Sequence, residues 1–307
     1  MKRAIAIGLG LLAQLAAAAG EIHTGSIILL DITRAGSGLI AVGERGTMLR
    51  SEDSGGHWKA LPSGVTRTLT AVAFASPAVG VAVGHGGTLL RSGDGGQSWQ
   101  KLAPEGLDDQ SLLGVTCLGP DLFAAYGAFG LLLTSEDGGQ NWRRREVVGP
   151  DFDRHLYGLV AFTPRRWLLA GESGTLIATE DGGATWRTLS SPYEGSFFGA
   201  VKTRDGGVIL YGMRGHVYRG SASLDGWTAI DTGTEAAYNA GRLLADGRIV
   251  LAGNNGVVAI SGDDGRSFQK FDLGRAVNLA GAADDQGALL FASDQGLRRL
   301  AAASSGY

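Results

Sequence analysis

The chain has 307 residues, of which 44% are hydrophobic, 19% are charged and 51 are glycines, with a net charge of −3. So much apolar material at so little charge excludes a disordered chain, and mild acidity excludes a general nucleic-acid binder, which needs a basic face. The glycine content predicts many short strands joined by tight turns.

The first element stands apart from the fold. Lys2 and Arg3 precede an apolar run from Ile5 to Leu15 and the small residues Ala17-Ala18-Ala19, the order of a cleavable export signal covering residues 1–19. The run is too short for a stable anchor, which takes about 20 residues. Residues 20–307 are therefore expected as one periplasmic or otherwise exported domain, with no membrane insertion after cleavage. Cleavage removes two of 27 basic residues and leaves 25 against 30 acidic ones, a balance of −5. Cys117 is alone, so no internal disulfide forms, and its apolar surroundings predict a small core residue.

From residue 41 onward one pattern recurs. Its clear copies are AVGERGTMLRSEDSGGHW (41–58), AVGHGGTLLRSGDGGQSW (82–99), AYGAFGLLLTSEDGGQNW (125–142) and LAGESGTLIATEDGGATW (169–186). Weaker copies occupy 210–227 and 251–268, and a remnant, FASDQGLRRL, occupies 291–300. The leading residue falls at 43, 84, 127, 171, 212, 253 and 293, a period near forty that marks propeller blades. In the second repeat, strands are expected over Leu69–Phe74, Gly80–Gly84, Thr88–Ser92 and Trp99–Leu102. The expected fold is all-β: one seven-bladed propeller of four-stranded blades. The seventh copy stops near Leu300, so residues 21–27 are expected to supply its missing outer strand and close the ring.

The four clear copies and the weaker one at 251–268 carry S/T-x-D-x-G-x-x-W/F. Asp53, Asp94, Asp137, Asp181 and Asp263 each stand five residues before Trp58, Trp99, Trp142, Trp186 or Phe268. The aspartate accepts backbone N–H groups, glycine makes the left-handed corner and the ring is buried. Calcium is disfavoured, because the twelfth position of an EF-hand reading holds Gly64, Val148 or Gly274 where glutamate is needed. This loop is the Asp-box, or BNR repeat. With the GxxGxL strand, the sequence most closely resembles the photosystem II stability/assembly factor-like propellers; Ser223 stands where the fifth aspartate belongs.

The resemblance implies a scaffold that binds a protein partner and assists a membrane protein complex; the sequence holds no catalytic motif, and a monomer without cofactor or metal is expected. In such propellers the second-to-third and fourth-to-first connections share one face, opposite the Asp-boxes. That places Arg45, His85, Phe129, Glu172, Arg214 and Asn254 in the turns, and Arg67, Tyr193 and Tyr238 in the connections, a mixture suited to recognising protein. Phe129 is the most suggestive, since its equivalents are polar or small. Arg143-Arg144-Arg145 is expected to protect an outer strand edge. The five histidines show no metal-ligand spacing. The alternative is a sialidase-like glycosidase or sugar-binding propeller assembled from Arg45, Arg67, Arg214, Glu44, Glu172 and Tyr238, although the Arg-Ile-Pro segment of sialidases is missing.

Overall fold

The computed structural model describes residues 24–273, 277–285 and 287–300. Seven antiparallel sheets follow in chain order, six of four strands and one of three among the described residues. The innermost strands are Leu29–Ala35, Leu69–Phe74, Leu112–Gly119, Leu156–Thr163, Phe197–Lys202, Tyr238–Leu243 and Leu279–Asp285. Each touches the next, and the last touches the first, so the sheets stand as blades around one axis. Blades one to seven are numbered in this order. In blade two the first three strands match the sequence expectation; the fourth starts at Gln100 because Trp99 turns into the core.

There is no single core. Seven apolar clusters fill the seven wedges between adjacent blades, which is why strands are buried on both faces. Trp58 fills the wedge between blades seven and one beside Leu290, Trp99 the next, Trp142 the one after, and Trp186 and Phe268 serve blades four and six. Cys117 is half-buried, not enclosed in the core as its apolar setting implied: it packs against the wedge of blades two and three and also lines the central cavity.

The inner strands approach each other so closely that side chains there must be small. A β-bulge at the second residue of each (30, 70, 113, 157, 198, 239 and 280) is followed by Ala or Gly in six blades. A Cβ on Gly158 would lie 2.6 Å from the Gly199 Cα. The exception is Asp31 in blade one.

Closure differs in part from expectation. Residues 24–27 form a turn (Thr24–Ser26 is a 3-10 turn) and not a strand. The Thr24 carbonyl crowds Gly296 as those of Val65, Tyr193 and Thr234 crowd Gly46, Gly174 and Gly215. Thr24 therefore stands in a fourth-to-first connection, the one from blade seven to blade one. Any outer strand must come earlier in the chain, and Glu21, Ile22 and His23 of the expected one lie outside the described residues.

Candidate functional site

The two faces of the ring are built differently. On one, the Asp-box loops spend their polar atoms on themselves. Asp137 Oδ1 accepts the Gln140 and Asn141 N–H groups at 3.0 and 2.9 Å and the Ser135 hydroxyl at 2.8 Å. Ser135 Oγ accepts the Gly139 N–H at 2.9 Å, and the Trp142 indole donates to the Gly139 carbonyl at 2.9 Å. The Asn141 N–H, foremost, lowers the Asp137 carboxyl to about 2, against the opposing effect of burial. Asp94 and Asp263 are lowered likewise, and Asp53 and Asp181 further still. In blade five Asp225 takes over, accepting from Ser221 and Ser223 at 3.1 and 2.7 Å, which explains how the ring tolerates serine in the aspartate's place.

Sequence reasoning missed a set of arginines that staple blades together. Arg50, Arg91 and Arg219 occupy one third-strand position, and each donates to a backbone carbonyl in the next blade's acidic loop: Gly95, Gly138 (2.7 Å) and Asp264 (3.2 Å). Their signal was the arginine two residues before the loop. Arg144 and Arg145 are likewise tied, Arg144 to the Gly106 carbonyl at 3.0 Å and Arg145 to Thr134 Oγ1 at 2.9 Å.

The opposite face carries the turns. Their tips share a left-handed backbone: Arg45, Phe129, Ser173, Arg214 and Asn255 have φ between 50° and 58°. Glycine or asparagine suits that conformation; a bulky aromatic there is an outlier. Phe129 is nevertheless 61% exposed, so neither backbone preference nor burial accounts for it. The connection beyond it adds a second outlier. Val148 has φ 64° and is 53% exposed, at the centre of a γ-turn closed by the Gly149 N–H on the Val147 carbonyl at 2.7 Å. A positive-φ γ-turn is rare and strained, the more so for a β-branched residue. Beside Phe129 lies a cavity of about 410 Å³, lined also by Arg144, Val147, Pro150 and Phe152, with the two neighbours of Val148, Val147 and Gly149, on its wall. Strained backbone and exposed apolar side chains at one cavity are the marks of a binding site.

From the tip a row of rings runs inward. Phe129 meets His155 edge-on at 4.8 Å, His155 meets Tyr157 at 6.2 Å, and Tyr157 meets Phe198 at 5.8 Å. Tyr157 and Phe198 are half-buried bulge residues of blades four and five, and Tyr157 lines the central cavity. Periodicity could not reveal them, because a bulge breaks the alternation from which facing is read. Glu172 is fixed here too: its Oε2 accepts the His155 N–H at 3.1 Å, and its charge together with burial raises the Tyr157 phenol, burial being the larger cause.

The other predicted residues divide. Arg45, His85 and Arg214 are exposed at their tips, and Arg67 is exposed and folds over Gly86. Asn254 is half-buried and accepts from Asn239 at 2.8 Å. Tyr193 is half-buried, packed against His216 at 4.1 Å. Tyr238 is not on the face. It begins an inner strand at the position of Leu69 and Leu112 and is fully buried, so the glycosidase alternative loses its proposed tyrosine.

The channel holds a cavity of about 540 Å³, and its polar side chains are engaged with the unpaired inner edges of the blades. Asp31 accepts the Val72 and Ile32 N–H groups at 2.9 and 2.8 Å, Thr70 donates to the Leu112 carbonyl at 2.9 Å and Asn239 to the Leu279 carbonyl at 2.9 Å. Burial pushes the Asp31 carboxyl up to about 6, against the Val72 N–H and the Arg242 charge.

Seven blades, five aspartate loops of one geometry and a variable turn face define an Asp-box β-propeller. The family model of the photosynthesis system II assembly factor YCF48 matches residues 57–234, more than half of the chain, which therefore belongs to that family. Among solved structures, YCF48 bound to D1 peptide is similar with a TM-score of 0.73 at 18% identity, over 92% of this chain and 93% of that one. YCF48 from Cyanidioschyzon merolae has 0.72 at 18% identity, covering 91% and 96%. The WD40 propeller domain of Doa1 has 0.72 at 15% identity, covering 92% and 94%, so at such identities the likeness is one of fold. No curated protein matches the chain.

Proposed function

We infer that this chain is an exported, non-catalytic scaffold that holds a segment of a membrane protein complex against its turn face. The observation that carries the reading is Phe129, exposed in a left-handed tip on the wall of a cavity able to seat a side chain, with the strained Val148 in the connection that borders the same cavity. Apolar residues kept in costly positions at a cavity are expected of an interface anchor. Export rests on the 1–19 signal pattern. Family membership supports a partner belonging to a photosynthetic or comparable membrane assembly, and YCF48 itself is known bound to D1 peptide.

The reading is tested by placing a photo-crosslinking amino acid at position 129 or, as control, at position 140 on the Asp-box face, in the native host. A membrane-protein segment should cross-link from 129 and not from 140. Equal labelling from both positions, or none from 129, would remove the reading.

A further inference from the structure

The blade-three tip is held by a group that the other tips lack. The Phe129 N–H donates to His155 Nδ1 at 3.2 Å, across the junction between blades three and four. One blade on, the equivalent N–H, that of Ser173, donates to the Ser196 hydroxyl at 3.3 Å, and Ser196 is the residue equivalent to His155. The neighbouring glycines repeat the match, with Gly130 bonded to the Arg154 carbonyl and Gly174 to that of Gly195 at 2.8 and 2.9 Å. Two tips of one geometry thus differ in the chemistry of the acceptor. A hydroxyl oxygen accepts at every pH, whereas an imidazole nitrogen accepts only while its lone pair is free.

We propose that His155 makes the Phe129 binding tip pH-sensitive, holding it when the imidazole is neutral and releasing it when Nδ1 is protonated. This rests on the reading of the turn face as the partner site. As an acceptor, Nδ1 fixes the neutral ring with its proton on Nε2. A proton arriving at Nδ1 takes up the lone pair that receives the Phe129 N–H, and two N–H groups then face each other. The new donor finds a carboxylate nearby: Glu172 Oε2, on the blade-four tip, lies 4.0 Å from Nδ1 and is already anchored by the His155 N–H. The ring turns toward Glu172, and Phe129 loses both its hydrogen bond and its edge-on contact. The other ionisable groups about the ring do not compete for this proton. Arg154 donates to Ser173 Oγ at 3.1 Å and pairs with Asp153 at 3.8 Å, and the Tyr157 phenol is pushed up by burial and by Glu172.

The test needs no partner in its first arm. Amide and histidine-ring resonances of the full chain are followed by NMR from pH 8 to pH 5. The Phe129 amide should shift in one step at the midpoint of the His155 ring, while the Ser173 amide stays still. His155→Ser, which copies blade four, should abolish the Phe129 step. A Phe129 amide that does not move, or that still titrates in His155→Ser, overturns the proposal and leaves the binding reading intact. In the second arm, cross-linking from a photoreactive residue at position 148 should fall about threefold to tenfold between pH 7.5 and pH 5.5, the worth of one hydrogen bond. The fall should vanish in His155→Ser. A fall that is unchanged in the variant also overturns it, whereas no cross-link at any pH counts against the partner site and not against the titration.

Discussion

The two faces of this ring follow opposite rules with the same backbone. On the Asp-box face the sequence repeats and the atoms close upon themselves: Asp137, its N–H donors, Ser135 and Trp142 form a unit with nothing left over. On the turn face the backbone repeats equally well, with five tips within a few degrees in φ, while the side chains are arginine, phenylalanine, serine and asparagine. Repetition in both sequence and geometry is what folding requires of a blade. Variation on a fixed geometry is free of that requirement, and Phe129 goes against it. The contrast teaches that in a repeat protein function is found where one copy sets on the shared geometry an exposed apolar side chain that its siblings do not carry.

The comparison breaks first, and by the largest amount, on the Asp-box side. Trp99→Ala should destabilise the chain by about 3–5 kcal/mol, the cost of deleting a large packed aromatic, read by chemical unfolding. Its partner Phe74 meets it edge-on at 5.9 Å and would lose that contact. A cost below about 1 kcal/mol would mean that the wedges are not the core.

In the channel, Asp31→Asn sharpens the same point by its pH dependence. The carboxyl sits at about 6 in the folded chain against 3.8 ordinarily, so the folded state holds its proton more tightly than the unfolded one. The burden of ionisation is absent below about pH 4, grows as pH rises and is complete above about 6, reaching roughly 2–3 kcal/mol. Asparagine cannot ionise. The stability of Asp31→Asn relative to the parent should therefore improve by about that amount between pH 4 and pH 8, and a flat difference would show that Asp31 is not enclosed.

On the acidic loops the sign reverses. The Asp137 carboxyl is lowered to about 2, so its contribution is present above about pH 4 and is lost as pH falls through 2. Asp137→Asn keeps the acceptor oxygen and loses its charge, which should cost about 1 kcal/mol at pH 7 and flatten the acid limb of unfolding between pH 4 and 2. Unchanged acid unfolding would separate the loops from stability.

How much of this was legible follows from the same contrast. The blade boundaries, the Asp-box chemistry and the tip positions recur every forty residues, so Leu69–Phe74, Gly80–Gly84 and Thr88–Ser92 could be placed to the residue. Tyr238 misled because a tyrosine next to a loop reads as a surface residue, whereas register puts it at a leucine position in the wedge. Tyr157 and Phe198 were hidden by bulges, and Val148 by a three-residue turn with no sequence signature. His155 lay in plain view as a histidine without metal spacing, and its meaning depends on an N–H donated from another blade. Features set by one repeat were readable; those set by contact between two were not.

The smallest expected change in stability carries the most information about function. Phe129→Gly relieves a left-handed strain worth about 1 kcal/mol and adds unfolded-state freedom worth about 0.5–1 kcal/mol, so folding should move by less than about 0.5 kcal/mol. The edge-on contact with His155 at 4.8 Å goes with it, and so does the wall of the adjoining cavity. Partner cross-linking from a photoreactive residue at position 148 should then fall at least tenfold, as for loss of an interface anchor. The two readouts must separate for the division between faces to hold. If melting and capture fall together, Phe129 belongs with Trp99 as a packing residue, and the variable tips are only another way of building the same ring.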